Sequence, residues 1–150
     1  MATIAESSSR LQALIVGYAD LGASLGRRGA ELEDWRPAQE AVLVAARAAG
    51  LAAIDGPHLE VATDAGFEAT VDQARRLGFD GKWAIHPSQV APIRAAFTPA
   101  ADEVEQAQRV LAAVREAETA GRGAVALDGE MLDAASVRAA ERVLARAGER

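Results

Sequence analysis

Three short apolar runs, Leu11 to Val16, Leu51 to Ile54 and Lys82 to Ile85, constrain this chain more than any other feature. Each is bounded by turn formers: Gly17 closes the first, Asp55-Gly56-Pro57 ends the second, and His86-Pro87 follows the third. Runs this short and this continuous read as strands buried on both faces, because a half-exposed strand alternates apolar with polar residues. Helical periodicity separates them. Strand and helix in alternation predict βαβ units, hence an α/β fold with a parallel sheet covered by helices.

The segment Asp34 to Ala49 carries an apolar stripe of Trp35, Ala38, Ala41, Val42, Ala45 and Ala46. Pro37 suits its first turn and Gly50 its C-terminal stop, and a Gly-rich stretch with Gly22, Gly26 and Gly29 precedes it. Phe67 to Leu77 reads as a helix stopped by Gly78, and His86-Pro87-Ser88-Gln89 opens another. Past Phe97-Thr98-Pro99 the character changes. Ala100 to Thr119 is a long predicted helix with Val104, Ala107, Val110, Leu111 and Val114 on one face. Gly121-Arg122-Gly123 breaks the chain before an extended piece, Ala124 to Leu127, a turn at Asp128-Gly129, and a helix over Ala134 to Ala147 with Asp133 as N-cap. The expected organisation is a strand–helix part over 1–98 and a helical extension over 99–150. Three parallel strands leave both sheet edges open, so the pattern predicts part of something larger.

Composition narrows the classes of function. Of 150 residues, 50% are hydrophobic but only 4% aromatic, so the core is expected to be aliphatic. Sixteen Lys plus Arg against 22 Asp plus Glu give a net charge of −6, which argues against nucleic-acid or anionic-membrane partners, since both need clustered cations. With no cysteine, thiolate metal sites and cysteine nucleophiles are excluded. No apolar run approaches the roughly 20 residues of a membrane span and no leader pattern opens the chain, so a cytoplasmic location is expected. Lys82 stands alone among arginines. A lone lysine is a candidate Schiff-base nucleophile, but with so much alanine the bias of a GC-rich genome is the simpler explanation.

In parallel α/β sheets and barrels, ligands bind at the carboxyl ends of the strands. There the sequence places Asp20, Asp55 and His86, which together could rim one site. Singly, each also has a structural explanation: Asp20 as a helix cap, Asp55 as a turn former, and His86 as the residue before a helix-starting proline.

The string Gly78-Phe79-Asp80-Gly81-Lys82-Trp83-Ala84-Ile85-His86-Pro87-Ser88-Gln89, with Phe97-Thr98-Pro99 after it, resembles the final strand of the citrate lyase β-subunit family within the HpcH/HpaI aldolase superfamily. Gly17-Tyr18-Ala19-Asp20-Leu21 resembles that family's Gly-x-x-Asp-Leu after the sixth strand, and Ala53-Ile54-Asp55-Gly56-Pro57 its seventh strand end. Gly129-Glu130-Met131-Leu132-Asp133 is similar to its carboxy-terminal lid motif. The motifs occur in the family's order over nearly the whole chain.

The resemblance implies the carboxy-terminal portion of a (β/α)8 TIM barrel that binds Mg²⁺ and an acyl-CoA. Family enzymes cleave or form a carbon–carbon bond beside a thioester, as in malyl-, citramalyl- or citryl-CoA, with a small keto acid or glyoxylate as the other partner. By position, Asp20 matches the metal-ligand Asp and Asp133 the lid Asp that moves a proton. Asp55, Gly56, Pro57, His86 and Pro87 fall on the CoA and substrate rim. A homo-oligomer, trimer or hexamer, with the lid contributed in trans is also implied.

The family's second metal ligand is a Glu at the end of the fifth strand, and its substrate-carboxylate Arg lies on the third. Neither has a counterpart here, and Glu6 is too close to Asp20 to be that Glu. The expectation is a carboxy-terminal fragment, inactive alone. The rivals are a pyruvate-type aldolase of the same superfamily and a non-catalytic remnant that self-associates. Met131-Leu132-Asp133 and its following helix speak for the CoA-using branch. Arg27 and Arg28 read as a solvated loop rather than CoA-phosphate contacts, His58 as exposed, and Trp35 and Trp83 as core.

Overall fold

The computed structural model describes residues 1–27, 32–121 and 125–148. They fall into two compact units, Met1–Phe97 and Thr98–Arg150. Arg28, Gly29, Arg122, Gly123 and Ala124, named above, lie outside the described residues.

In the first unit a short helix α1 (Ala2–Ala5) leads into β1 (Ala13–Ile15), α2 (Tyr18–Leu25), a 3₁₀ turn (Leu32–Trp35) and α3 (Arg36–Ala48). Then come β2 (Ala52–Asp55), α4 (Ala65–Leu77), β3 (Gly81–Lys82) and α5 (Pro87–Phe97). The sheet is parallel with β2 in the middle: Leu14 sits opposite Ala53, and Asp55 opposite Lys82. This is the expected α/β arrangement. Helix ends follow local chemistry. Asp64 accepts the Phe67 N–H (3.1 Å) to cap α4, and Gly78 ends that helix at φ +94°, a conformation that favours glycine.

Leu14, Val16 and Ala53 pack on Val42, Ala45, Ala46, Ala74 and Phe79 in a largely aliphatic core. Phe67 and Phe79 are nonetheless the largest fully buried side chains.

Several expectations need correction. The third strand is not Lys82 to Ile85 but Gly81–Lys82. Its neighbour β2 ends at Asp55, whose carbonyl takes the Trp83 N–H (2.9 Å), and beyond that no ladder partner remains on β2. The sheet is not covered on both faces either. Trp83, expected in the core, is 50% exposed, as is Ile15 at 49%, because the alternation turns both away from the helices. The predicted stripe of α3 included Ala41, which is exposed, and omitted Gln39, which is buried. Trp35 is half-buried against Tyr18 with ring centroids 5.0 Å apart. His58, expected exposed, is half-buried edge-on to Phe67.

In the second unit, α6 (Ala101–Thr119) and α7 (Ala134–Gly148) pack together, and between them in sequence lies a hairpin of β4 (Val125–Leu127) and β5 (Glu130–Leu132). Its turn places Asp128 at φ +53° and Gly129 at φ +88°, as a two-residue primed turn requires. Arg109 of α6 grips the Asp128 carboxylate through both oxygens, at 2.7 and 2.9 Å. Buried Ala107, Ala117 and Ala140 let the two helices approach closely.

Candidate functional site at the carboxyl ends of the strands

The carboxyl end of the sheet carries a buried polar cluster. Lys82 Nζ lies 2.6 Å from Asp55 Oδ2 and donates to the Gly56 carbonyl at 2.8 Å. The Tyr18 hydroxyl donates to Asp55 Oδ1 and accepts from Gln39 Nε2 at 2.7 Å, and the same amide reaches Asp55 Oδ1 at 3.1 Å. The Lys82 and Asp55 side chains are each 1% exposed. Burial, reinforced by the Asp55 charge and hydrogen bond, raises the Tyr18 phenol well above its ordinary value, so it stays protonated and a donor. Burial pulls the Lys82 ammonium below its usual value, while Asp55 opposes the fall.

Asp55 is therefore not the ordinary turn former considered above. It is the last residue of β2, and both its oxygens are engaged inside the protein. Gly56 is needed for a steric reason: a Cβ there would collide with the Val16 carbonyl and the Tyr18 ring. Pro57 is half-buried beside it.

A second side chain ties the rim loops together. Gln89, 0% exposed, accepts the Ile85 N–H (2.9 Å) and donates to the Glu60 carbonyl (2.7 Å). It thus links the turn after β3 to the loop after β2. His86 and Pro87 are exposed at the start of α5, where His86 Nδ1 lies 2.8 Å from Ser88 Oγ.

Asp20 is exposed in the first turn of α2 and does not cap that helix; Gly17 occupies the N-cap. Its carboxylate has no hydrogen bond or ion pair to another described residue. A free, hard oxygen donor at a strand end suits Mg²⁺. Among the described residues no group of three or more His, Cys, Asp or Glu gathers to complete a metal site. Asp20 fits as one ligand of a set.

In the second unit Asp133 caps α7: Oδ1 accepts the N–H groups of Ala135 (2.8 Å) and Ser136 (2.9 Å). The backbone hydrogen bond from Ser136, with its hydroxyl second, holds the Asp133 carboxyl below the usual carboxylate range. The group is exposed and ionised at neutral pH.

The model of the HpcH/HpaI aldolase/citrate lyase family matches residues 1–87, more than half of the chain. The chain belongs to this family. Within it, the L-malyl-CoA/β-methylmalyl-CoA lyase of Cereibacter sphaeroides is 36% identical over 96% of this chain and 51% of its own length. The (3S)-malyl-CoA thioesterase of the same organism is 37% identical over 92% of this chain and 49% of its own. Among solved structures, CitE from Mycobacterium tuberculosis in complex with magnesium, acetoacetate and coenzyme A superposes with a TM-score of 0.77. It is 36% identical and covers 99% of this chain and 56% of its own. The chain spans about half the length of the curated relatives it matches.

Sequence reasoning quoted Tyr18, Lys82 and Gln89 within the strand-end motifs and weighed Lys82 as a Schiff-base nucleophile, but it gave neither them nor Gln39 these buried hydrogen-bond partners. Two signals were available. Gln39 lies three residues before Val42 and seven before Ala46, on the apolar face of α3, and Lys82 opens an otherwise apolar run.

Proposed function

We propose that this chain supplies the carboxy-terminal strands and lid of a Mg²⁺-dependent acyl-CoA lyase built on a (β/α)8 barrel. Residues 1–98 are its last three strand–helix units and residues 99–150 the extension that carries the lid. The observation that carries the reading is the match to the malyl-CoA/β-methylmalyl-CoA lyase over 96% of the chain, with Asp20 in the first turn of α2 bonded to no other described residue. Asp20 is one Mg²⁺ ligand, and a further carboxylate is needed from outside these 150 residues. When bound, Mg²⁺ supplies Lewis-acid stabilisation of the charge that builds on the substrate oxygen as the carbon–carbon bond breaks.

The chain's own residues shape the rim and offer a proton-transfer group. Gly56, Pro57, His86 and Pro87 shape the rim on which the CoA ester lies, and Asp55 holds that rim from beneath. Asp133, ionised and exposed, is the proton-transfer group offered to a neighbouring copy in a homo-oligomer. The substrates are an acyl-CoA and a small keto acid or glyoxylate. No helix among the described residues is long and apolar enough to cross a membrane, and we place the enzyme in the cytoplasm with its CoA pool.

The test is reconstitution with a polypeptide carrying the first five strands of a relative, followed by assays on malyl-CoA and citramalyl-CoA. Mg²⁺-dependent release of acetyl-CoA and the keto product, lost in Asp20→Asn, is expected. Release of free CoA with intact malate would instead assign thioester hydrolysis, as the thioesterase relative suggests. Turnover by the 150-residue chain alone would overturn the half-site reading.

A further inference from the structure

We propose that Tyr18, Asp55 and Lys82 are positioning residues that lock the first turn of α2, and with it the Asp20 carboxylate, in the orientation needed to hold a divalent cation. The inference rests on the assignment of Asp20 as a metal ligand.

The cluster runs across the sheet in one direction. Lys82 on β3 holds Oδ2 of Asp55 on β2, and Oδ1 of the same carboxylate receives the hydroxyl of Tyr18, the first residue of α2. Gln39 of α3 closes on that hydroxyl from a fourth element. Two residues along, Asp20 shares the turn that the Leu21 N–H closes onto the Gly17 carbonyl at 2.9 Å. Gly56 gives the Tyr18 ring its room. Rotating the start of α2 therefore strips a buried hydroxyl from a buried carboxylate, which is costly. Exposed Asp20 has no hydrogen bond or ion pair to another described residue. Its direction is inherited from Tyr18, as the residues behind a metal ligand orient it.

Mn²⁺, a paramagnetic probe that takes the same oxygen donors, tests this in the ¹⁵N-labelled full chain even where binding is weak. Amide broadening centred on residues 19–22 is expected, abolished by Asp20→Asn. Tyr18→Phe keeps the ring and removes the hydroxyl; it should raise the apparent Mn²⁺ dissociation constant about 10-fold and speed exchange of the Leu21 N–H relative to the amides of α4. Gln39→Met, a milder lesion of the same cluster, should move both readouts the same way if Tyr18→Phe does not fold. Thr70→Val removes a buried hydroxyl that bonds the Phe67 carbonyl within α4; it should lower the melting temperature and leave Mn²⁺ affinity unchanged. Unchanged affinity in folded Tyr18→Phe, or in Gln39→Met where Tyr18→Phe does not fold, overturns the positioning role while Asp20 stands as a ligand. No broadening around residue 20 in the unaltered chain overturns the Asp20 assignment and the positioning role with it.

Discussion

Lys82 Nζ and Asp55 Oδ2 meet at 2.6 Å across neighbouring parallel strands, with both side chains 1% exposed. A buried pair of this kind is costly to break and not costly to replace whole, because the penalty falls on whichever charge is left alone. Lys82→Met should destabilise the chain by about 3–5 kcal/mol in urea denaturation. Combining it with Asp55→Asn, which removes the charge and keeps an oxygen for the Tyr18 hydroxyl, should recover part of that loss. If the two losses simply add, the pair is not coupled as the distance implies.

Gly56 makes a different forecast. Gly56→Ala adds one methyl group where the Val16 carbonyl and the Tyr18 ring already stand. Overpacking of this kind costs about 1–3 kcal/mol. Thermal unfolding should show a lower Tm, and an unchanged Tm would mean the ends of β1 and β2 do not approach this closely.

Asp133 combines a cap with a titratable group. Asp133→Asn should hold Tm nearly constant, since Asn caps as well as Asp, whereas Asp133→Ala lowers it. The folded-state pKa lies below the ordinary carboxylate value of 3.8. The cap's contribution is therefore fully present above 3.8 and is lost as pH falls through the lower, folded value. Protection of the Ala135 and Ser136 amides, relative to their intrinsic exchange rates, should fall over that acid window in the unaltered chain and stay constant in Asp133→Asn. In the reconstituted enzyme, Asp133→Asn should also abolish turnover; retained activity would leave only the capping role.

One carboxylate is a poor Mg²⁺ site, because this ion gives up its water reluctantly. Calorimetric titration of Mg²⁺ into the isolated chain should show no tight binding. A submillimolar site that disappears in Asp20→Ala would mean that these residues complete the site alone.

The uncovered sheet face predicts association. Ile15 and Trp83 are each about half exposed, Ile85 is 46% exposed, and apolar surface next to unpaired strand edges favours self-contact. Light scattering should find the isolated chain larger than a monomer, and Ile15→Lys with Trp83→Lys should reduce its size. A monodisperse monomer would refute the expectation.

The alternation of strand and helix was legible because it depends on local periodicity: the predicted stop at Gly78 and the long helix to Thr119 recur in the structure, whereas α2 lies in what read as a Gly-rich stretch. What the periodicity could not carry was the partner of each polar residue. Asp55 in an Asp-Gly-Pro string has every local mark of a turn, and only its register opposite Lys82 draws it inside. Trp83 misled for the complementary reason. Its size argues for burial, but alternation after Lys82 settles which face it takes, and no helix of its own unit covers that face.

β3 pairs through only two residues, and side chains extend the work of the ladder at both its ends. Before it, Asp80 Oδ2 accepts the Ala53 N–H (2.8 Å) while its carboxylate is gripped by Arg47. After it, Gln89 holds the Ile85 N–H and the Glu60 carbonyl. So short a strand has almost nothing to unzip. The rim beyond it is set by a few discrete bonds, so its shape should change stepwise, one substitution at a time, with no intermediate loosening of the sheet. Such a construction lets the loop beyond the strand change shape while the layer that supports it stays the same.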